Sequence, residues 1–155
     1  MTTNAPMLGF LARRQVSAQW RGFVRSLVET LDVNLEKDDR DALLRAIGAR
    51  LAAQMPLPAT TSLGALEQRM NDALAESDWG FVEISFDLER DRLVLSHAAA
   101  PAIATESDAA GGWIAPVLEG LYSAWFAAQE GAVPELTATV VEVTVGRLQL
   151  DYGLA

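Results

Sequence analysis

Few side chains in this sequence could perform acid–base or nucleophilic chemistry at neutral pH. The chain of 155 residues contains no cysteine and a single histidine, His97. The missing thiol excludes cysteine catalysis, disulfide bonds and cysteine metal sites. His97 ends a predicted strand without a nearby catalytic partner in the sequence, which favours a structural or surface role over general acid–base catalysis.

The twenty-one carboxylates are the remaining candidates for catalysis or metal binding. Their clusters at residues 38–41 and 87–91 are typical of a helix start and of a turn between strands. The sequence has no GxSxG, no HExxH and no glycine-rich phosphate loop. We therefore predict that the protein is not an enzyme and binds no metal and no cofactor, with a carboxylate-dependent glycosidase as the enzymatic alternative.

Charge and hydropathy narrow the class of partner. Half of the residues are apolar and the net charge is −9, so we expect a globular protein that does not bind the phosphates of nucleic acid. Residues 1–50 hold eight of the twelve basic side chains but only six of the twenty-one acidic ones. This asymmetry favours association between copies or with a charged partner. No apolar run is long enough for a membrane span, and the N-terminus lacks the pattern of a signal peptide.

The first half of the chain shows the period of amphipathic helices. Residues 1–16 are predicted to form an arm, either a frayed tail or a docking segment, ahead of a single domain at residues 17–155. The first helix of the domain follows the N-cap Ser17. Its apolar residues, which we expect to face the core, are Trp20, Phe23, Val24, Leu27, Val28 and Leu31.

Two more helices are expected before the pattern changes to the alternation of strands. The second begins at Asp38 or Asp39 and ends at Pro56, and the third begins after the cap Thr61 or Ser62. The second helix is expected to bury Leu43, Leu44, Ile47, Leu51 and Met55. DWGFVEISF and LVLSH then predict an antiparallel hairpin, and residues 98–112 predict a mobile loop. A long central helix and a second hairpin, LTATVVEVTV with LQLDY, complete a predicted single-domain α+β fold.

The central helix, within residues 111–130, carries an apolar arc of roughly 220° at about 100° per residue. Such an arc is wider than a surface helix of a monomer needs, so we expect burial from two sides. Small residues along one edge let a second helix approach closely, and the second cover could be another copy of the chain. The predicted oligomer interface comprises Gly120, Ala124, Ala127 and Ala128.

The segments SDWGFVEI (77–84) and GGWIAPVLEGLYSAWFAAQEGA (111–132) resemble the cellulose synthase operon protein D family, which takes part in bacterial cellulose synthesis. WxAPVLEGLYxxW is the most specific motif, and LLRAIGARLAAQMPLP fits the same order of elements. The similarity spans most of residues 38–132. The arm, the first helix and the closing hairpin resemble the family in layout only.

The resemblance implies a non-catalytic accessory subunit of bacterial cellulose biosynthesis that supports ordered, high-yield cellulose. It implies dimers that build an octamer-like ring, in which N-terminal segments line passages for glucan chains. A second view of the family is a scaffold that aligns cellulose synthase complexes together with a proline-rich partner protein. The missing signal peptide favours a cytoplasmic location at the inner-membrane synthase complex, with the periplasm as the alternative.

Glucan binding is expected on the arm if it occurs at all. Sugar rings stack on aromatic faces, but Trp79, Trp113 and Trp125 fall on predicted core faces. The predicted glucan- or partner-binding residues are Met7, Phe10, Arg13 and Arg14. A small acidic dimeric secretion chaperone is the alternative function, and it predicts a plain dimer with a client groove on the sheet.

Overall fold

The computed structural model describes residues 5–154. In chain order its elements are α1 (Ala5–Arg14), α2 (Ala18–Asn34), α3 (Lys37–Gln54), α4 (Leu63–Glu76), β1 (Phe81–Asp87), β2 (Arg92–Ala98), α5 (Ile114–Ala127), β3 (Leu136–Thr144) and β4 (Arg147–Leu154). The predicted α+β class and the order of hairpin, central helix and hairpin are confirmed. Within the described residues, no helix combines the length and the apolar content needed to cross a bilayer.

Side-chain caps fix where two of the helices begin. The Ser17 hydroxyl accepts a hydrogen bond from the Trp20 N–H at 3.4 Å, and Ser62 accepts one from Ala65 at 3.1 Å. Each cap satisfies a backbone donor that has no partner within its helix. The predicted N-caps are therefore confirmed.

The two hairpins join into one four-stranded antiparallel sheet in the order β1-β2-β4-β3. The centre of the sheet is the β2–β4 pair, in which Leu95 lies opposite Leu150 and His97 lies opposite Leu148. Alternate residues of every strand point to one face, and there they meet α5 in the main core. The alternation that marked each strand in the sequence thus becomes the apolar face of the whole sheet.

Helix α5 is the centre of the core, and α3 supplies its second cover. A Cβ atom at Gly120 of α5 would collide with the Arg45 carbonyl oxygen of α3. One at Gly48 of α3 would collide with the Val117 carbonyl oxygen of α5. The two glycines let the helix backbones cross in contact, so burial of α5 from two sides is achieved within one chain.

Both outer strands hydrogen-bond to helix side chains along their outer edges. On β1, the Asn71 side chain pairs with both the N–H and the carbonyl of Val82, and Glu67 accepts from the Ile84 N–H at 2.6 Å. On β3, Ser123 and Glu119 of α5 accept from the backbone N–H groups of residues 138 and 140, each at 2.9 Å. Side chains of α4 and α5 thus stand in for neighbouring strands.

The segment between β2 and α5, predicted as a mobile loop, is instead packed against the body. Ile103 is buried, and its carbonyl accepts a 2.9 Å hydrogen bond from the Trp113 indole. The Ala102 N–H donates to the Ala12 carbonyl of α1 at 3.0 Å. Small residues allow this close packing without regular secondary structure.

Helices α2 and α3 bury less of their apolar surface than predicted. Trp20, Phe23 and Leu27 of α2 are 56%, 59% and 43% exposed, and Leu43 and Ile47 of α3 are also exposed. The prediction that these five residues face the core is wrong. Val28 and Leu44 already fill the adjoining core positions, and no further layer among the described elements covers the outer faces of the two helices.

Candidate interaction surface

Helix α1 is anchored on one side and open on the other. Leu8 and Ala12 are buried, and the backbone at Leu8 and Gly9 lies so close to Gly146 that no Cβ would fit there. Gly146 has φ of +90°, a conformation that glycine adopts without strain. Within the described residues, the N-terminal segment is therefore a docked helix and not a frayed tail.

The residues predicted to bind glucan or a partner lie on the exposed side of α1. Met7 and Phe10 are exposed apolar residues, joined there by Leu11. The guanidinium of Arg14 lies over the Phe10 ring, 5.8 Å from its centroid, and Arg13 is exposed as well. The structure thus brings the four predicted residues to one side of a helix, and a ligand for them stays a prediction.

Helix α2 adds an exposed aromatic pair that the sequence assigned to the core. The rings of Trp20 and Phe23 meet edge to face, with centroids 5.6 Å apart and planes at 87°. Helical periodicity alone could not identify this site, because an apolar stripe has the same spacing whether its cover is the same chain or another molecule. We call Trp20, Phe23 and Leu27 the α2 face.

The predicted oligomer interface on α5 is divided by the fold. Gly120 is buried against α3, so the helix that approaches it belongs to the same chain. Ala124 is half-buried, whereas Ala127 and Ala128 are exposed at the end of α5. Next to them lies a groove of about 640 Å³ between α3, α5 and β3. For the three alanines, an interface with another copy stays a prediction.

His97 is fully buried and structural. Its Nε2–H donates to the Trp79 carbonyl at 2.7 Å, and its Nδ1 accepts from the Tyr122 hydroxyl of α5. Burial lowers the pKa of His97 to about 4, against a smaller opposing effect of the Trp79 hydrogen bond. Burial also raises the pKa of Tyr122. At neutral pH the imidazole is uncharged and holds β2 to α5 and to the turn before β1.

The buried carboxylates belong to ion pairs, one between the β1–β2 turn and β4 and the others within α3. Asp151 of β4 accepts from Arg90 at 2.7 Å, and Asp41 of α3 accepts from Lys37 at 2.7 Å and from Arg40 at 2.9 Å. Among residues 5–154, no three histidine, aspartate or glutamate side chains are grouped so that they could hold a metal ion. Of the acidic clusters noted in the sequence, Asp38 and Asp39 lie in the first turn of α3, and Asp87 accepts hydrogen bonds from the backbone N–H groups of residues 89 and 90 in the turn after β1.

Comparison with known proteins identifies the family. Residues 6–153 match the family model that describes the D subunit of cellulose synthase. Cellulose synthase operon protein D of Komagataeibacter xylinus is 31% identical over 117 residues, which cover 76% of this chain and 75% of the relative. The protein of the same name from Komagataeibacter sucrofermentans has the same identity and coverage, and another from K. xylinus is 29% identical over the same length. The chain is a member of the cellulose synthase operon protein D family.

Proposed function

We propose that this chain is a non-catalytic accessory subunit of bacterial cellulose synthesis that acts as a self-associating scaffold. The observation that carries the proposal is the exposure of large apolar side chains on three consecutive helices. These side chains are Met7, Phe10, Leu11, Trp20, Phe23, Leu27, Leu43 and Ile47. Within this set the rings of Trp20 and Phe23 are in contact, and an exposed apolar cluster points to an interaction surface where a single exposed side chain would not.

The energetics favour a protein cover for this surface. Complete burial of a side chain the size of Phe or Leu stabilises by about 1.5–3 kcal/mol, so even partial burial of several of them would offset the cost of association. The buried His97 and the paired carboxylates support a binding role over catalysis, because they are already used to hold the fold.

The partners in this proposal are other copies of the chain, the cellulose synthase complex and a proline-rich partner protein. Copies would assemble as dimers that build an octamer-like ring on the cytoplasmic side of the inner membrane. Glucan chains are a further candidate ligand, for which the α1 residues Met7, Phe10, Arg13 and Arg14 offer an aromatic ring beside cationic hydrogen-bond donors. A periplasmic location is the alternative.

Solution mass is the first test. Light scattering on the intact chain should give a particle several times the 16.7 kDa of one protomer. Trp20→Ser combined with Phe23→Ser should reduce this mass, because the change removes apolar surface that only a partner can cover. Leu88→Ser is the matched control, since Leu88 is exposed on the turn between β1 and β2, and it should leave the mass unchanged.

The cellular counterpart is complementation of a cellulose-producing bacterium that lacks its own protein of this family. The unaltered chain and Leu88→Ser should restore cellulose yield, and the double serine variant should restore less. A monomer at all concentrations would contradict the scaffold. A plain dimer that captures unfolded clients would instead support a secretion chaperone.

A further inference from the structure

Helix α1 packs on the end of the sheet through a small apolar cluster of its own. Leu8 packs with Ala98 and Ala99, and Phe81 lies beside them half-buried. Among residues 5–154, the main core around α5 includes no residue of α1. The apolar contacts of α1 can therefore be lost while the main core stays closed.

Hydrogen bonds hold α1 at its C-terminal end. The Ala12 carbonyl accepts from the Ala102 N–H at 3.0 Å, and the guanidinium of Arg21 donates to the Arg13 carbonyl. The same guanidinium donates to the Ala102 carbonyl at 3.1 Å. One arginine of α2 thus joins the end of α1 to the segment that follows β2.

The side chain of Gln15, which follows α1, contacts the corner where the chain enters β1 and leaves β2. With its amide nitrogen turned toward this corner, Gln15 donates to the Ala99 carbonyl at 2.8 Å and to the Asp78 carbonyl at 3.3 Å. Both residues have a left-handed backbone, with φ of 57° at Asp78 and 59° at Ala99, which residues other than glycine adopt at a cost. Gln15 therefore connects the docking of α1 to a strained corner of the sheet.

The same corner is also held from the side of the core. His97 of β2 donates to the Trp79 carbonyl at 2.7 Å, and its other ring nitrogen accepts from the Tyr122 hydroxyl of α5. Neither bond involves α1. The corner therefore stays joined to the core when α1 leaves it.

Helix α1 has little stability of its own. It is ten residues long, and an isolated helix shorter than about 12–15 residues is marginal in water. Gly9, near its middle, lowers its helix propensity further. Because the helix depends on its docking, undocking and unwinding should occur together.

We infer that α1 is a latch, which undocks and unwinds as one unit while the core around α5 stays folded. The docked latch gathers the four residues predicted to bind glucan or a partner on one side of a helix, and the unwound latch disperses them. A ligand that needs them together binds the docked form only, so it shifts the equilibrium toward docking. The motion takes place within one protomer, so the inference goes beyond the proposed scaffold and does not depend on self-association.

Hydrogen exchange of the intact protein at neutral pH tests the latch directly. The amides of residues 9–14 should be at least about 100-fold less protected than those of α5, because they open without the core. Gly9→Cys with Val145→Cys supplies a lock, since a Cβ at Gly9 would lie 3.3 Å from the Val145 Cγ1 and the natural chain has no cysteine. Oxidation should raise the protection of α1 toward that of the core, and reduction should reverse this. The two single-cysteine variants are the controls and should show no such change.

Trypsin gives a second readout, because α1 contains Arg13 and Arg14 and the protease cuts only an unwound chain. The first product should be a folded core that begins at residue 14 or 15. Leu8→Ala should speed this cut at least about tenfold, because it removes the buried contact of the latch and the rate follows the open population. Leu11→Ala is the matched control on the exposed side of α1 and should change the rate by less than about threefold.

Equal protection of α1 and α5 would overturn the latch, and so would an oxidised lock that leaves the exchange of α1 unchanged. Digestion of the whole chain without a folded core as first product would also overturn it, because α1 would then open only in global unfolding. Equal acceleration by Leu8→Ala and Leu11→Ala would count against the docking contact. Any of these results leaves the scaffold proposal standing, since that proposal is tested by solution mass. A monomer that shows both signatures would support the latch and contradict the scaffold.

Discussion

Helices α5 and α2 both carry more apolar surface than a single packing contact covers, and the fold treats them in opposite ways. Around α5 that surface is buried by the sheet on one side and by α3 on the other. On α2 one half of the stripe meets the body through Val28, whereas Trp20, Phe23 and Leu27 remain exposed. A wide apolar arc therefore shows that two covers are needed, but it does not show which molecule supplies the second.

The polar residues of the two helices differ in the same sense. Glu119 and Ser123 of α5 accept hydrogen bonds from the backbone of β3, so they hold another element of the chain. Ser26 and Thr30 of α2 donate to their own helix and hold nothing else. The polar side chains of α5 thus stabilise the protomer, while those of α2 form no bond to another element. Substitutions in α5 should lower protomer stability, and those in α2 should alter assembly.

The largest effect is expected where α5 crosses α3. Gly120→Ala places a methyl group against the Arg45 carbonyl oxygen and should destabilise the protomer by about 3 kcal/mol, because two backbones must move apart. Thermal unfolding should shift down by about 10 °C. Gly22→Ala in α2 is the matched change, and it should stabilise the protomer by up to about 1 kcal/mol, since its site is open and alanine favours helix. If both variants lost the same free energy of unfolding, the proposed difference between α5 and α2 would be wrong.

The second effect is a pH dependence carried by His97, which joins β2 to α5. In the unfolded chain its pKa is near 6.5, whereas the folded pKa is about 4, so the unfolded state binds a proton first as pH falls. The stabilisation is complete above about pH 6.5 and is lost progressively between about 6.5 and 4. Urea unfolding should give a free energy about 2 kcal/mol lower at pH 5 than at pH 7.

Because the chain has only one histidine, His97→Gln provides a clear control for the pH effect. It should lower stability at pH 7 and flatten the slope between pH 7 and pH 5. A slope that persists unchanged in this variant would assign the effect to carboxylates instead.

A smaller effect is expected from the polar side of α5. Ser123→Ala removes the acceptor of the Ala138 N–H and should cost about 1 kcal/mol in urea unfolding, since the edge of β3 loses a hydrogen bond. Ser26→Ala on α2 should change the free energy of unfolding by less than about 0.5 kcal/mol, because only a bond to its own helix is lost. Similar losses for both serines would mean that α2 contributes to the protomer as α5 does.

The smallest change in protomer stability is expected on the α2 face itself. Trp20→Ser with Phe23→Ser should leave the unfolding free energy of the dissociated protomer within about 0.5 kcal/mol, since both rings are more than half exposed. Circular dichroism during thermal unfolding of dilute protein measures this. A loss of several kcal/mol would show that the aromatic pair supports the fold and is not primarily an interface.

From residue 17 onward the sequence was sufficient to predict the elements but not what covers them, and it did not predict that residues 5–14 form a helix. Period and caps located the helices, and Ser17 and Ser62 perform the predicted capping. Alternation located all four strands, yet it does not encode that β2 pairs with β4, which depends on contacts between residues about fifty positions apart. Local sequence patterns show which face of an element is apolar, but they do not show which element or molecule covers that face.

Gly48 shows why the second cover of α5 was not predicted. In the sequence it is one glycine within an alanine-rich helix. Only the structure shows that it faces the Val117 carbonyl at the point where α3 crosses α5. Gly120 was therefore included in a predicted interface with another copy of the chain, although α3 of the same chain covers it. The exposed Trp20 was missed for the converse reason, because its spacing is that of a core residue.

The side chains that close the edges of the sheet also limit how copies of this protein can join. Val82 and Ile84 on one outer strand, and Ala138 and Val140 on the other, have their outward N–H groups bonded to α4 and α5. The sheet of a second copy would therefore meet few free backbone N–H groups with which to pair, and edge-to-edge growth into a fibre is disfavoured. Copies that associate would have to meet through their helices instead.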